Sequence, residues 1–345
     1  MRRKVEKILL LSLVGLLLVT VLFAGCSKSK ENEKISIGLL KLTSSAPIFI
    51  GIEKGFFREE GLDLKVEWFE AAQPIAVATA SNKVDIGATG ITASLFNMVG
   101  SGQALTIVAD KGREQAGYSS SAILVRKELW EQGVRKIEDL KGKRIGITQT
   151  GSTFHYMTGR LLEQKGLKLQ DVEIVSLGKI GALMASLQSG QVDAVILNEP
   201  NISKVEAAGY GKILSQVGDV MAYQTSAIFF SPKLVKDKSI GVKFLKGYIK
   251  STRYYYDAVL NMKDGKVVPG ENYDEVINMI AKYTGVPAED VKTGLPYLDR
   301  DGRLLTKDIQ TQIDWYTSHK MLDKQINSSQ VINDDIWETA LKELK

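Results

Sequence analysis

Ser152 and His155 stand three residues apart in the stretch Gln149-Thr-Gly-Ser-Thr-Phe-His155, directly after the apolar run Arg144-Ile-Gly-Ile-Thr148. These residue types raise nucleophilic catalysis, in which a base takes the serine proton and a third group orients the base. The spacing argues against it. A three-residue step puts both in the first turn of one helix, and the Gly-x-Ser-x-Gly elbow is missing. The only other histidine, His319, lies in a distant helical stretch. The alternative chemistry is noncovalent. A helix start leaves four backbone N–H groups unpaired and carries a partial positive charge, so it attracts anions. Gly151 lets a ligand approach the backbone, while Ser152 and Thr153 add hydroxyls. Equally, either hydroxyl caps its own helix. Gln149 and His155 flank this start as further candidate contacts.

Two more polar starts are written elsewhere. Thr89, Gly90 and Thr92 follow the strand pattern that begins at Val84-Asp85 and open the helical run Ile91-Thr-Ala-Ser-Leu95. Thr43, Ser44 and Ser45 lie between the strand Lys34-Ile-Ser-Ile-Gly-Leu-Leu40 and the helix signalled by Ala46-Pro47. Asn198 and Glu199 come off a third apolar run, Val192 to Leu197. Glu199 suits an amino or N–H group on a ligand, or an ordinary ion pair. In open α/β sheets ligands sit beyond the carboxyl ends of the strands, so these starts are expected to face one cleft. Two separated histidines and one cysteine make a poor transition-metal set. Neither a metal nor a cofactor is expected.

The elements that must position these residues follow a pattern written twice. Gly61-Leu-Asp-Leu, a Val-Glu opening an apolar run, and Ser81-Asn-Lys-Val-Asp85 return as Gly166-Leu-Lys-Leu, a second Val-Glu, and Ser189-Gly-Gln-Val-Asp193. Both copies read strand–helix–strand, the βαβ unit with its right-handed crossover. Each is prefaced by a short strand and a helix, the second of them running from about Thr153 to Lys165 with Gly166 as its stop. The chain thus predicts two α/β lobes. Residues 34–115 begin lobe 1, with Lys111-Gly-Arg-Glu-Gln-Ala-Gly-Tyr118 crossing into lobe 2 over 116–224. Residues 225–345 return through Ala227-Ile-Phe-Phe-Ser231 to lobe 1 and end in helices.

The N-terminus predicts where the protein works. Arg2, Arg3, Lys4 and Lys7 precede 17 uncharged residues, Ile8 to Ala24, a length that suits a signal peptide over 1–25. Leu22-Phe-Ala-Gly-Cys26 ends it and resembles a lipoprotein lipobox, which implies export and a lipid on Cys26, the sole cysteine. Residues 26–33 are polar and read as a tether. Without the signal the formal charge falls from +5 to +2, and no basic block remains, which argues against a nucleic-acid partner.

Gly87-Ala-Thr-Gly90, Gln149 to His155, Gly190-Gln-Val-Asp-Ala194, Glu199-Pro200 and Ile50-Gly-Ile-Glu-Lys-Gly-Phe-Phe-Arg-Glu-Glu-Gly-Leu62 stand in a telling order. Together they resemble the substrate-binding proteins of the nitrate/sulfonate/taurine ABC-importer family, which also includes binders of thiamin-pyrimidine precursors. The likeness covers roughly residues 34 to 230. It implies the type II periplasmic-binding-protein fold, each lobe a mixed sheet flanked by helices, closing over a small anionic or zwitterionic solute. It implies no catalysis, and delivery to a permease with a cytoplasmic ATPase. The starts at Thr43–Ser45, Thr89–Gly90 and Gly151–Thr153 become ligand contacts by this resemblance. A lipoprotein that senses a ligand for a partner receptor, or an exported enzyme on the same fold, stays open as an alternative.

Overall fold

The computed structural model describes residues 31–263 and 266–345. The basic start, the apolar run and Cys26 lie outside the described residues. Residues 34–345 form one compact unit.

Ten strands divide between two five-stranded sheets. The first holds β1 (Glu33–Leu39), β2 (Leu62–Trp68), β3 (Ile86–Gly90), β4 (Thr106–Glu114) and β10 (Tyr223–Phe230), in the order β2-β1-β3-β10-β4. The second holds β5 (Ser121–Arg126), β6 (Arg144–Ile147), β7 (Glu173–Ser176), β8 (Ala194–Asn198) and β9 (Gly211–Gln216), in the order β7-β6-β8-β5-β9. The plans match. A parallel pair, β1 with β3 or β6 with β8, is followed by an antiparallel strand contributed by the other end of the lobe, β10 or β5. Mixed sheets of this kind, flanked by helices, make two lobes of one α/β architecture. The chain crosses between them twice, at 115–120 and 217–222, and the crossings run side by side, with Gly218 N donating to Ser119 Oγ at 2.9 Å.

The repeated Val-Asp has one job in both lobes. Asp85 Oδ2 accepts from Ser36 N at 2.9 Å, and Asp193 Oδ2 accepts from Arg144 N at 2.9 Å, each partner 49 residues earlier. Ser36 O and Arg144 O in turn accept from the aspartate backbone N–H groups at 3.1 and 2.9 Å. A carboxylate thus satisfies the strand-start donor that would otherwise lose its water.

Apolar periodicity decides the packing. Every residue of Ser121–Val125 is buried, so β5 carries apolar side chains on both faces and sits inside its sheet. Ile37, Leu39, Ile86, Ile228 and Phe230 face the long helix Lys238–Val259, which packs Phe244, Leu245, Tyr248 and Ile249 against them. The helix Thr306–Ser318, which follows the return to the first sheet, packs Trp315 on Gly159 of the helix Thr153–Glu163. Trp315 Nε1 donates to Glu163 Oε1 at 2.8 Å, and Tyr316 Oη reaches Ser152 O at 3.3 Å and Ile91 O at 3.5 Å. It therefore touches both lobes. Among the described residues no helix is long and apolar enough to cross a membrane.

Two expectations shift. Lys111 to Glu114 belong to β4, not to the crossing, because Asp110 and Glu114 find buried partners that a charged loop would not need. The helix signalled by Ala46-Pro47, expected to run unbroken to Phe57, stops at Glu53 and restarts at Phe56, since Gly55 turns the chain with a positive φ of 77°.

Candidate functional site

The carboxyl ends of β1, β3 and β8 and the starts of three helices meet between the lobes. The cleft they enclose, about 40 Å³, is lined by residues of both. The lobes are in contact over it. Ala93 N donates to Gly151 O at 2.9 Å, and Thr43 N donates to Glu199 O at 3.3 Å. A Cβ on Gly90 would stand 2.5 Å from Thr153 Cγ2, so only glycine lets the lobes approach this closely.

Of the residues expected from sequence, Ser44, Thr89, Gly90, Thr153 and Asn198 line this cleft. Thr89 Oγ1 is buried with no hydrogen-bond partner among the described residues. Asn198 Nδ2 donates to Ser121 Oγ at 2.6 Å, and Ser121 Oγ donates to Glu114 Oε1. Ser119 and Ser120 also donate to Glu114, at 2.6 and 3.1 Å, so three consecutive hydroxyls enclose one fully buried carboxyl. Burial raises the Glu114 pKa, and these serines act in the opposite direction.

The other expected residues turn to local partners. Thr43 Oγ1 donates to Gly294 O and Ser45 Oγ to Leu40 O, each at 3.0 Å. Thr92 and Ser152 cap their own helices, accepting from Leu95 N at 3.3 Å and His155 N at 3.2 Å. His155 Nδ1 accepts from Gly151 N at 3.1 Å, which places its proton on Nε2 and occupies an N–H expected to face a ligand. Burial pushes His155 down to about 4, with His319 adding to the shift, so the ring is neutral at pH 7. Ser152 and His155 therefore pin a turn and make no nucleophile–base pair. Glu199 Oε2 accepts from Ser203 N at 3.1 Å and Ser203 Oγ at 2.9 Å, and burial raises its pKa. Gln149 lines a separate surface groove beside Phe69 and Val77, and Gly151 lines another beside Ala93 and Lys320.

The cleft also holds a residue that the sequence reading passed over. Lys111 is 1% exposed, and its Nζ donates to Ser44 Oγ at 3.0 Å. Its position comes from pairing. Ser226 stands opposite Gly112 and Ala227 opposite Asp110, so Lys111 is the extra residue of a β-bulge. Bulges re-aim a side chain. Asp110, next along the chain, spends its carboxylate on Gly112 N, Gln224 Nε2, Asp299 N and the Arg113 guanidinium. Burial pushes Lys111 down to about 7, with Asp110 opposing. Ser226 Oγ, in register beside Gly90 and Gly112, is buried and unpartnered like Thr89 Oγ1. Ser120, Thr148 and Thr225 complete the polar lining, and Leu40, Leu42, Ala71, Phe154 and Ile180 the apolar one. The available signal was a lysine closing the apolar run Thr106-Ile-Val-Ala-Asp-Lys111.

An ammonium has three donors and no acceptor. Lys111 uses one of them on a neutral hydroxyl among the described residues, while two hydroxyls orphaned among those residues stand on β3 and β10. This arrangement suits an anion. Among the described residues no base is aimed at a nucleophile and no cluster of metal-ligating side chains is found.

Comparison with known proteins agrees with this architecture. The putative aliphatic sulfonates-binding protein of Escherichia coli K12 is 24% identical over 350 aligned positions, covering 99% of each chain. The alkanesulfonate-binding protein SsuA of Xanthomonas axonopodis pv. citri, solved with MOPS bound, superposes with a TM-score of 0.71 at 18% identity, over 88% of this chain and 99% of that one. The periplasmic nitrate-binding protein NrtA of Synechocystis PCC 6803 superposes with a TM-score of 0.72 at 15% identity, over 91% and 90%. At such identities the superpositions show a shared two-lobe binding-protein fold. The family model described as NMT1/THI5 like matches residues 42–258, most of the described unit, and the chain belongs to that family.

Proposed function

We propose that this chain is the extracytoplasmic solute-binding component of an ABC importer, which holds a small organic anion between its lobes and delivers it to a permease. The observation that carries the reading is Lys111, a buried cation with one neutral partner among the described residues, in a cleft where those residues also leave Thr89 Oγ1 and Ser226 Oγ unpaired. Charge-assisted hydrogen bonds to such groups contribute roughly 1.5–3 kcal/mol each. Contacts available only when both lobes engage would favour the closed arrangement, so ligand and closure stabilise each other. The relatives' descriptions as sulfonate- and nitrate-binding proteins support an anionic solute. Leu22-Phe-Ala-Gly-Cys26 supports export and a lipid anchor on Cys26.

The test is a thermal-shift panel of alkanesulfonates, carboxylates, nitrate and pyrimidine precursors on the chain without its first 26 residues, which retains the whole compact unit. A ligand at 100 times its Kd adds about 2.7 kcal/mol. A hit from the anions, together with lost uptake of that anion on gene deletion, supports transport. Normal uptake with no hit contradicts it. Labelling with a fatty-acid analogue that persists in Cys26→Ser would contradict the anchor.

A further inference from the structure

We infer that the ligand is an organic monoanion with an apolar body and no positively charged group, so that the cleft rejects zwitterions that carry the same acid head. This deepens the anion-binding reading and rests on it. Among the described residues Lys111 is the only charged one lining the cleft. A ligand ammonium would be buried beside that cation with no carboxylate to receive it, and an unpaired buried charge is strongly unfavourable.

The acids nearest in the chain are turned elsewhere. Glu199 is bonded to Ser203 and packs against Gly294, where an added Cβ would lie 2.0 Å from Glu199 Cγ. Glu114 is enclosed by Ser119, Ser120 and Ser121, and Asp110 by backbone N–H groups, Gln224 and Arg113. None of these three acids lines the cleft. The hydroxyls do not replace them, because a hydroxyl lone pair offsets little of an ammonium's lost hydration. Leu40, Leu42, Phe154 and Ile180 supply apolar wall, which desolvates an alkyl or aryl body at little cost. Selectivity thus arises from a missing carboxylate as much as from the lysine present.

Calorimetric titration at pH 6.5 with two matched pairs tests this: 1-propanesulfonate against 3-aminopropanesulfonate, and butyrate against 4-aminobutyrate. The two pairs separate a sulfonate head from a carboxylate head. In at least one pair the unsubstituted acid binds, and its amino partner binds at least tenfold more weakly. Equal or tighter binding of the amino acid in the pair that binds overturns the inference while leaving the anion-binding reading intact. Nitrate binding more tightly than all four overturns the apolar body. If no organic anion and no nitrate binds, both the inference and the reading beneath it fall.

Discussion

Lys111 Nζ donates to Ser44 Oγ across 3.0 Å, and among the described residues that hydroxyl is its only hydrogen-bond partner. The pair joins a bulge in β4 to the helix start after β1, two elements brought together only when the first sheet has formed. It leaves the lysine with spare donors in a dry place. Such an arrangement is costly for the empty protein and useful once an anion arrives, which is the usual balance at a binding site.

Removing the charge should therefore stabilise the empty protein. Lys111→Met keeps most of the volume and, below pH 7, is expected to raise unfolding stability by about 1–4 kcal/mol, the range found when buried ionic groups give way to apolar ones. Urea unfolding at pH 6 reads this. A variant less stable than wild type would mean that Asp110 or a buried water already compensates the ammonium.

The same lysine sets a pH dependence. Burial lowers Lys111 from 10.5 to about 7, and a bound anion favours the protonated form. Affinity for a bound organic acid is then constant below about pH 7 and falls above it, by up to roughly tenfold per unit, until the pKa of the complex is reached. The empty protein moves the other way. Its unfolded state binds the extra proton between about pH 7 and 10.5, so its stability rises with pH across that window. Thermal shifts caused by ligand should accordingly shrink between pH 6 and 9.

Lobe closure depends on the missing side chain at Gly90. Gly90→Ala puts a methyl 2.5 Å from Thr153 Cγ2 and should hold the lobes apart. Ligand affinity is expected to drop at least tenfold, with an unfolding change of about 1 kcal/mol, typical of point variants. Thr153→Ser in the same chain removes the opposing methyl and should restore part of the affinity. Calorimetry on the single and double variants checks the pair.

His155 governs acid stability. It accepts from Gly151 N as a neutral ring whose pKa is lowered to about 4 by burial, then by His319. The unfolded chain binds the extra proton between pH 6.5 and about 4, so stability present above that window is lost as pH falls through it. His155→Asn keeps an acceptor near the Nδ1 position and removes the titration. Its stability should decline less steeply over that window, measured by urea midpoints at pH 7, 6, 5 and 4.

Most of the architecture was legible because it is encoded locally. Strands such as Ser121–Arg126 read from their aliphatic runs, and the doubled Val-Asp reads because Asp85 and Asp193 each tie down a neighbouring strand start. The lining of the cleft was legible in outline. Ser44, Thr89, Gly90, Thr153 and Asn198 follow strand ends and reach the cleft. Thr92, Ser152 and His155 occupy equivalent places in the sequence, yet satisfy their own helix starts or turns, because a hydroxyl or ring near a free N–H takes it before a ligand can. Lys111 was hidden for a different reason. Its direction depends on a register shift between β4 and β10, whose residues lie more than 100 positions apart, and charges at a strand end look like a solvated crossing until that pairing is known. Glu199 shows the reverse. An acid at a strand end promised a ligand contact, but Ser203, one helical turn later, had already taken it.

The most direct measurement is calorimetric titration of wild type and Lys111→Met with the tightest-binding organic acid of the panel at pH 6.5. Wild type should bind one equivalent, and the variant should bind at least a hundredfold more weakly while unfolding cooperatively and at no lower urea concentration. Equal affinity in a well-folded variant would contradict the account, since the anion would then be held elsewhere.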